Sequence, residues 1–101
     1  MKRGIKAENR VAASLRRAGA RVKQSPGSRT SADIEAKWDS GKEWLVQVKY
    51  SGKERPSSLS YNERKALLAR AKRNNATAVL AEVTPDKIKF ISLRTGRRLK
   101  P

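Results

Sequence analysis

The sequence predicts an α/β domain in which one central mixed β-sheet is flanked by helices, in the order helix, three strands, helix, two strands. Three observations carry that expectation. Two stretches space their apolar residues as a helix does. The segments between and after them alternate apolar and polar residues or run continuously apolar. The joints are filled by Gly, Pro, Ser and Asp, the residues that turn a chain. At 101 residues there is room for one modest core and no second domain.

Over residues 4–18, Ile5, Val11, Ala12, Leu15 and Ala18 recur at helical spacing, and Gly19 stands where a helix favours a left-handed residue to end on. Residues 20–24 form a short strand. The run Ser25-Pro26-Gly27-Ser28-Arg29-Thr30-Ser31 is a loop carrying a cation and several hydroxyls. A second strand over 32–38 turns Ala32, Ile34, Ala36 and Trp38 inward and sets Asp33, Glu35 and Lys37 on the opposite side. After a hairpin turn at Asp39-Ser40-Gly41-Lys42, a third strand over 43–50 divides Trp44, Val46, Val48 and Tyr50 from Leu45, Gln47 and Lys49. Residues 51–58 are a loop. Ser60-Tyr61-Asn62-Glu63 then has the spacing of a capping box ahead of Leu67, Leu68 and Ala71, so a second helix reaches residue 74. The apolar run 76–83 suits a buried strand, Pro85-Asp86 turns the chain, and 88–93 alternates as an edge strand. Residues 1–93 thus make the domain. Residues 94–101 form a basic tail with little to pack, expected to be mobile.

Charge narrows the function classes. The chain has 25 Lys plus Arg against 9 Asp plus Glu, a net charge of +16, which calls for a polyanion whose counterions can be displaced. Nucleic acid is the foremost candidate. A membrane is a poor one, because no stretch approaches the roughly 18 apolar residues of a spanning helix and Met1-Lys2-Arg3-Gly4 precedes no apolar segment. The expected location is therefore intracellular, in the cytoplasm with the DNA. There is no cysteine and no histidine, which excludes zinc fingers, disulfide frameworks, thiol nucleophiles and histidine general bases. Any metal must be held by oxygen, which favours Mg2+, with Mn2+ as a substitute.

Four polar residues stand out against that background. Asp33 and Glu35 share a face of the second strand, and Gln47 and Lys49 share a face of the third. Paired strands lie about 4.8 Å apart and same-face residues about 7 Å apart, so a cation can bridge them against a phosphate. On alternation alone, a half-solvated sheet face with cross-strand ion pairs is the commoner origin of such a pattern. Glu8 shifts the balance. It lies on the apolar stripe of the first helix, and its neighbours three and four residues away, Gly4, Ile5, Val11 and Ala12, include no base. An inward acid without a local cation either reaches water at the edge of the stripe or faces something positive in space.

With these residues in place, the chain resembles the PD-(D/E)XK nucleases, and among them the small archaeal-type Holliday junction resolvases. The resemblance runs from Lys2-Arg3-Gly4-Ile5-Lys6-Ala7-Glu8 through the serine-containing loop and Ala32-Asp33-Ile34-Glu35-Ala36 to Val46-Gln47-Val48-Lys49-Tyr50-Ser51, and on to the second helix and last strands. It implies a restriction-endonuclease-like fold and a metal-dependent, structure-selective DNA endonuclease that cuts four-way junctions symmetrically as a homodimer. It also implies Glu8 and Asp33 as metal ligands, the Val48 backbone carbonyl beside them, and Lys49 as the residue that positions the attacking water. Ser25 or Ser28 takes the place of a phosphate-contacting loop serine, and Arg3, Lys6, Arg29, Lys53 and Arg55 are the accompanying DNA contacts.

Two departures matter. Ala32 replaces the proline before the aspartate, where the side chain does no chemistry. Gln47 occupies the usual acidic position and offers a metal a carbonyl oxygen without a charge, and Glu35 is either the migrated acid or a surface partner of Lys37 or Lys49. The D…QxK form also resembles Mrr-like restriction nucleases, which act on duplex DNA. A third reading is a basic, architectural DNA-binding protein silenced by Gln47. Arg16, Arg17, Arg21 and Lys23 suit a phosphate track, as do Arg64, Lys65, Arg70, Lys72 and Arg73 on the second helix. Leu59, Tyr61 and Phe90 are expected at the dimer interface.

Overall fold

The sheet is built in chain order, and all but one of its pairings are antiparallel. The computed structural model describes residues 2–24, 32–50 and 60–101. Its elements are α1 (Lys2–Arg17), β1 (Arg21–Gln24), β2 (Ile34–Lys37), β3 (Glu43–Tyr50), α2 (Tyr61–Arg73), β4 (Thr77–Val83), β5 (Ile88–Ser92) and β6 (Arg98–Leu99). They form a mixed six-stranded sheet of order β1-β2-β3-β4-β5-β6. The exception is β3 with β4, parallel from Trp44↔Thr77 to Tyr50↔Val83. A parallel pair needs a crossover to carry the chain back to the same end of the sheet, and α2 lies in that connection.

The helices cover opposite faces. Ala7, Val11, Ala12 and Leu15 of α1 pack against Ile34, Ala36, Trp44, Val46, Val79, Ala81, Val83 and Phe90. Leu67 and Ala71 of α2 pack against Ala32, Leu45, Ala78, Leu80 and Leu93. The middle strands are therefore apolar on both sides, and the division of β3 into two faces agrees with its alternation. Trp44 joins the aromatic groups of the α1 layer, with its ring centroid 5.1 Å from Trp38 and 5.6 Å from Phe90. Among the described residues no helix is long and apolar enough to cross a membrane.

Both helices end in the same device. Ala20 N–H bonds back to Leu15 C=O at 3.0 Å and Gly19 N–H to Arg16 C=O at 3.0 Å, a Schellman arrangement around Gly19 at φ +95°. A Cβ on Gly19 would meet Trp38 no closer than 3.8 Å, so backbone conformation rather than crowding makes glycine the fitting residue. After α2, Ala76 N–H reaches Ala71 C=O at 2.8 Å with Asn75 at φ 55°, asparagine filling the left-handed position. The start of α2 is the expected capping box: Ser60 Oγ accepts from Glu63 N–H, and Glu63 Oε1 accepts from Ser60 N–H.

Four expectations are corrected. The tail is not without packing: Phe90↔Leu99 and Ile91↔Arg98 make β6 an added edge strand, and Leu99 packs on the α1 core, so the ordered sheet runs past residue 93. Phe90 is 5% exposed against Trp44 and is core, not a dimer contact. Ala32 does not share the face of Ile34 and Ala36; it precedes the start of β2 and packs on the α2 side with Leu45. The face of Glu35, Gln47 and Lys49 is not an open half-solvated one, since α2 packs over it.

Leu67 is fully buried and anchors α2 to the sheet. Leu67→Ala should therefore cost about 2–5 kcal/mol, from lost burial plus the cavity left behind. Urea denaturation of both proteins measures it as a lower midpoint at unchanged slope.

Candidate functional site

The site forms where β2 begins against β3. Asp33 precedes the first residue of β2 and is fastened to β3 twice. Its backbone N–H donates to Val46 C=O at 2.9 Å, and its Oδ2 accepts the Val48 N–H at 2.8 Å. The carboxylate thus occupies a donor that would otherwise need a strand carbonyl, and Asp33 is only 5% exposed. Burial raises its pKa above the ordinary aspartate range. The Val48 N–H and the nearby Lys49 ammonium pull it down, and Glu63 pushes it up.

Glu8, half-buried on α1, faces this carboxylate across the core edge. Its pKa is also raised, first by burial and then by the charge of Asp33. Among the described residues the inward acid of α1 therefore meets another acid, and no cation that relieves it. Two partly buried oxygens of like sign make a site short of positive charge.

Lys49 supplies the only side-chain cation that acts on Asp33 among the described residues. Its Nζ lies 3.3 Å from Glu63 Oε2, an ion pair that ties the end of β3 to the first turn of α2. Glu63 titrates below the ordinary glutamate range, chiefly because the Ser60 backbone N–H stabilises its charge, with Lys49 adding to the effect. Gln47, half-buried two residues before Lys49, opposes Leu80 of β4.

Glu35 stands elsewhere. It opposes Leu45 on the α2 face, and its Oε2 is 3.2 Å from the Arg70 guanidinium, both side chains about four-fifths covered. Its partner is thus neither Lys37 nor Lys49. Lys6 is exposed on α1, and Arg16, Arg17, Arg21 and Lys23 are exposed at the end of α1 and along β1. Ser25, Ser28, Arg29, Lys53, Arg55 and Leu59, and the side chain of Arg3, lie outside the described residues. Tyr61, at 75% exposure, is the large apolar group left open at the start of α2.

The structure therefore brings Glu8, Asp33, Val48 and Lys49 together, adds Glu63, and holds Glu35 in a separate ion pair. Glu63 was visible in the sequence only as the last residue of a capping box; nothing in its spacing connected it to Lys49. Among the described residues no three or more His, Cys, Asp or Glu side chains group closely enough to hold a metal by themselves. A cation here would need neutral oxygens beside the two carboxylates, and the Gln47 amide and Val48 carbonyl are the neighbouring donors. An all-oxygen set with two partly buried carboxylates fits a hard divalent ion.

No protein-family model matches the sequence, and neither does any curated protein. The fold matches that of Hjc from Archaeoglobus fulgidus, a Holliday junction resolvase of an archaeal hyperthermophile known at 1.6 Å resolution. The TM-score is 0.81 at 24% identity, over 97% of this chain and 79% of that one. This chain therefore has the nuclease-like α/β fold of that resolvase.

Because Glu8 and Asp33 titrate higher in the fold than in the unfolded chain, the folded state binds more protons just above the ordinary carboxylate range. Stability in that window falls as pH rises. Glu63 has the opposite sign: its contribution is present above the ordinary glutamate value and is lost as pH falls through its lowered one. Glu8→Gln removes one raised carboxylate and its repulsion of the other. In a chelator near pH 7 it should raise Tm by about 2–4 °C, what roughly half a kcal/mol does to a domain of this size. The gain should vanish in acid, where wild-type Glu8 is also neutral. Scanning calorimetry across pH checks both statements.

Proposed function

We propose that this protein is a metal-dependent, structure-selective DNA endonuclease that resolves four-way junctions. The observation that carries the reading is the convergence of Glu8, Asp33 and Lys49 on one point of a resolvase-like sheet in a chain of net charge +16. Glu8 and Asp33 would hold Mg2+ or Mn2+, with the Gln47 amide oxygen and Val48 carbonyl completing the oxygen set. A divalent cation bound there supplies Lewis acidity and neutralises charge at the phosphodiester. Asp33 is kept in place by the Val48 N–H, so its carboxylate is oriented before any ligand arrives. Lys49 contributes the ammonium that orients the attacking water and offsets charge building on phosphorus. Water adds to phosphorus, a bridging P–O bond breaks, and the leaving oxygen takes a proton.

Glu35 belongs to the architecture in this reading, because its charge is already matched by Arg70. Resolving a junction takes two symmetric cuts and each chain has one such site, so the working unit is a homodimer, with Tyr61 as an interface candidate. Light scattering at micromolar concentration should give twice the monomer mass; a strictly monomeric protein, free and on DNA, points to a single-strand nicking enzyme instead. The uncharged Gln47 favours one other reading, a DNA-binding protein that does not cut.

Labelled four-way junction, linear duplex and single strand, each incubated with Mg2+ or Mn2+, separate these readings. Paired cuts confined to the junction are expected. Asp33→Asn should abolish cleavage and Lys49→Ala should slow it at least about 10²-fold. Both should bind the junction nearly as wild type does, since each leaves at least 24 of the 25 Lys and Arg in place to meet the DNA backbone. Wild-type rates in either variant contradict the assignment, and binding without cleavage in wild type supports the non-cutting protein.

A further inference from the structure

The feature this reading leaves unused is the ion pair between Lys49 and Glu63. Lys49 lies at the end of β3 and Glu63 in the first turn of α2, 14 residues apart in sequence. Their charged atoms are 3.3 Å apart, with the lysine side chain 25% exposed and the glutamate side chain 43% exposed. Exposed ion pairs contribute little to stability, so this one needs a reason other than holding the fold.

The two carboxylate oxygens of Glu63 have separate tasks. Oε1 accepts the Ser60 N–H at 3.1 Å, while Oε2 faces the Lys49 ammonium. The Ser60 hydroxyl in turn accepts the Glu63 N–H at 3.2 Å. Glu63 is thus held at both its backbone and its carboxylate before it meets Lys49, which leaves its second oxygen at a defined place over the end of β3. The charge of the ammonium acts on Asp33 while its nitrogen is paired with Glu63. Gln47, on the same face of β3, brings no charge to that neighbourhood.

We propose that Glu63 is the positioning residue of Lys49: it fixes the ammonium over the Asp33 carboxylate, so that the capped start of α2 becomes part of the nuclease machinery. A lysine side chain has several rotatable bonds and three equivalent donors, and alone it samples many positions. A carboxylate anchored by a capping box removes that freedom ahead of the reaction, and small losses of alignment at a reacting centre cost rate disproportionately. Glu63 does not touch the phosphodiester in this scheme and acts only through Lys49.

The proposal rests on the nuclease reading above, and two variants test it. Glu63→Gln keeps an oxygen for the Ser60 N–H, because a capping box accepts Glu or Gln, but removes the charge facing Lys49. Ser60→Ala breaks the side-chain half of the cap and leaves the Glu63 carboxylate and its bond to the Ser60 N–H. Single-turnover cleavage of the four-way junction is measured together with Tm, junction affinity and calorimetric titration with Mn2+. Glu63→Gln should slow cleavage at least tenfold, with junction affinity and Mn2+ affinity unchanged and a smaller fall in Tm than Ser60→Ala. Ser60→Ala should lower Tm by about 4–8 °C and leave the cleavage rate within twofold of wild type.

Cleavage by Glu63→Gln at the wild-type rate overturns the positioning role and leaves the nuclease reading intact. Weaker Mn2+ binding in Glu63→Gln overturns it in favour of a direct ligand. Equal rate losses in both variants overturn it in favour of a purely structural cap. A wild-type protein that cuts none of the three DNA substrates overturns the nuclease reading and this proposal with it.

Discussion

The hydrogen bond from the Val48 N–H to the Asp33 carboxylate is the interaction on which the site depends. A strand that stops pairing exposes a donor on its neighbour, and a buried donor must be satisfied. Here the donor is met by a side chain instead of a main-chain carbonyl. A charged group is thereby brought to the point where the sheet opens and kept there by a charge-assisted bond. Burial opposes this arrangement, as the raised pKa of Asp33 records, and the bond to Val48 with the charge of Lys49 offsets part of that opposition.

The remaining parts of the structure place partners around that carboxylate. The parallel pairing of β3 and β4 obliges the chain to cross over through α2, and this brings the first turn of α2, with Glu63, beside the end of β3. On the other face α1 lies on Val46, Val79 and Ala81 through Ala7, Val11 and Leu15, and Glu8 rides at the edge of that contact. Two helices on opposite faces thus deliver two acids to one strand end. A third contact, Arg70 on Glu35, fixes the far half of α2 over β2 and holds Glu35 away from the strand end.

Stability and chemistry pull against each other at this point. Burial raises the cost of ionising both Glu8 and Asp33, and the charge of Asp33 adds to it at Glu8, with no gain for the fold. The helix ends show the opposite pattern, with a Schellman turn closing α1 and α2 and a capping box opening α2. Local rules are obeyed at the helix ends and broken where two like charges meet, the pattern that makes this neighbourhood the candidate site.

What the sequence determined by itself is what neighbours along the chain decide. The two-residue period of β3 set Trp44 and Val46 against Leu45, Gln47 and Lys49, Gly19 ended α1, and Ser60 with Glu63 began α2, all legible because each depends on bonds spanning a few residues. The meeting of Glu8 with Asp33 was legible as an acid lacking a local partner and through a resemblance that joins the two as ligands. The pairing of Lys49 with Glu63, the capture of Glu35 by Arg70, the turn of Ala32 onto the α2 face and the addition of β6 were decided by tertiary structure. Periodicity states which face a residue occupies but not what another element lays upon that face. The angle and register at which α2 crosses the sheet choose between Lys37, Lys49 and Arg70 as partners of an acid, and no local pattern encodes that choice.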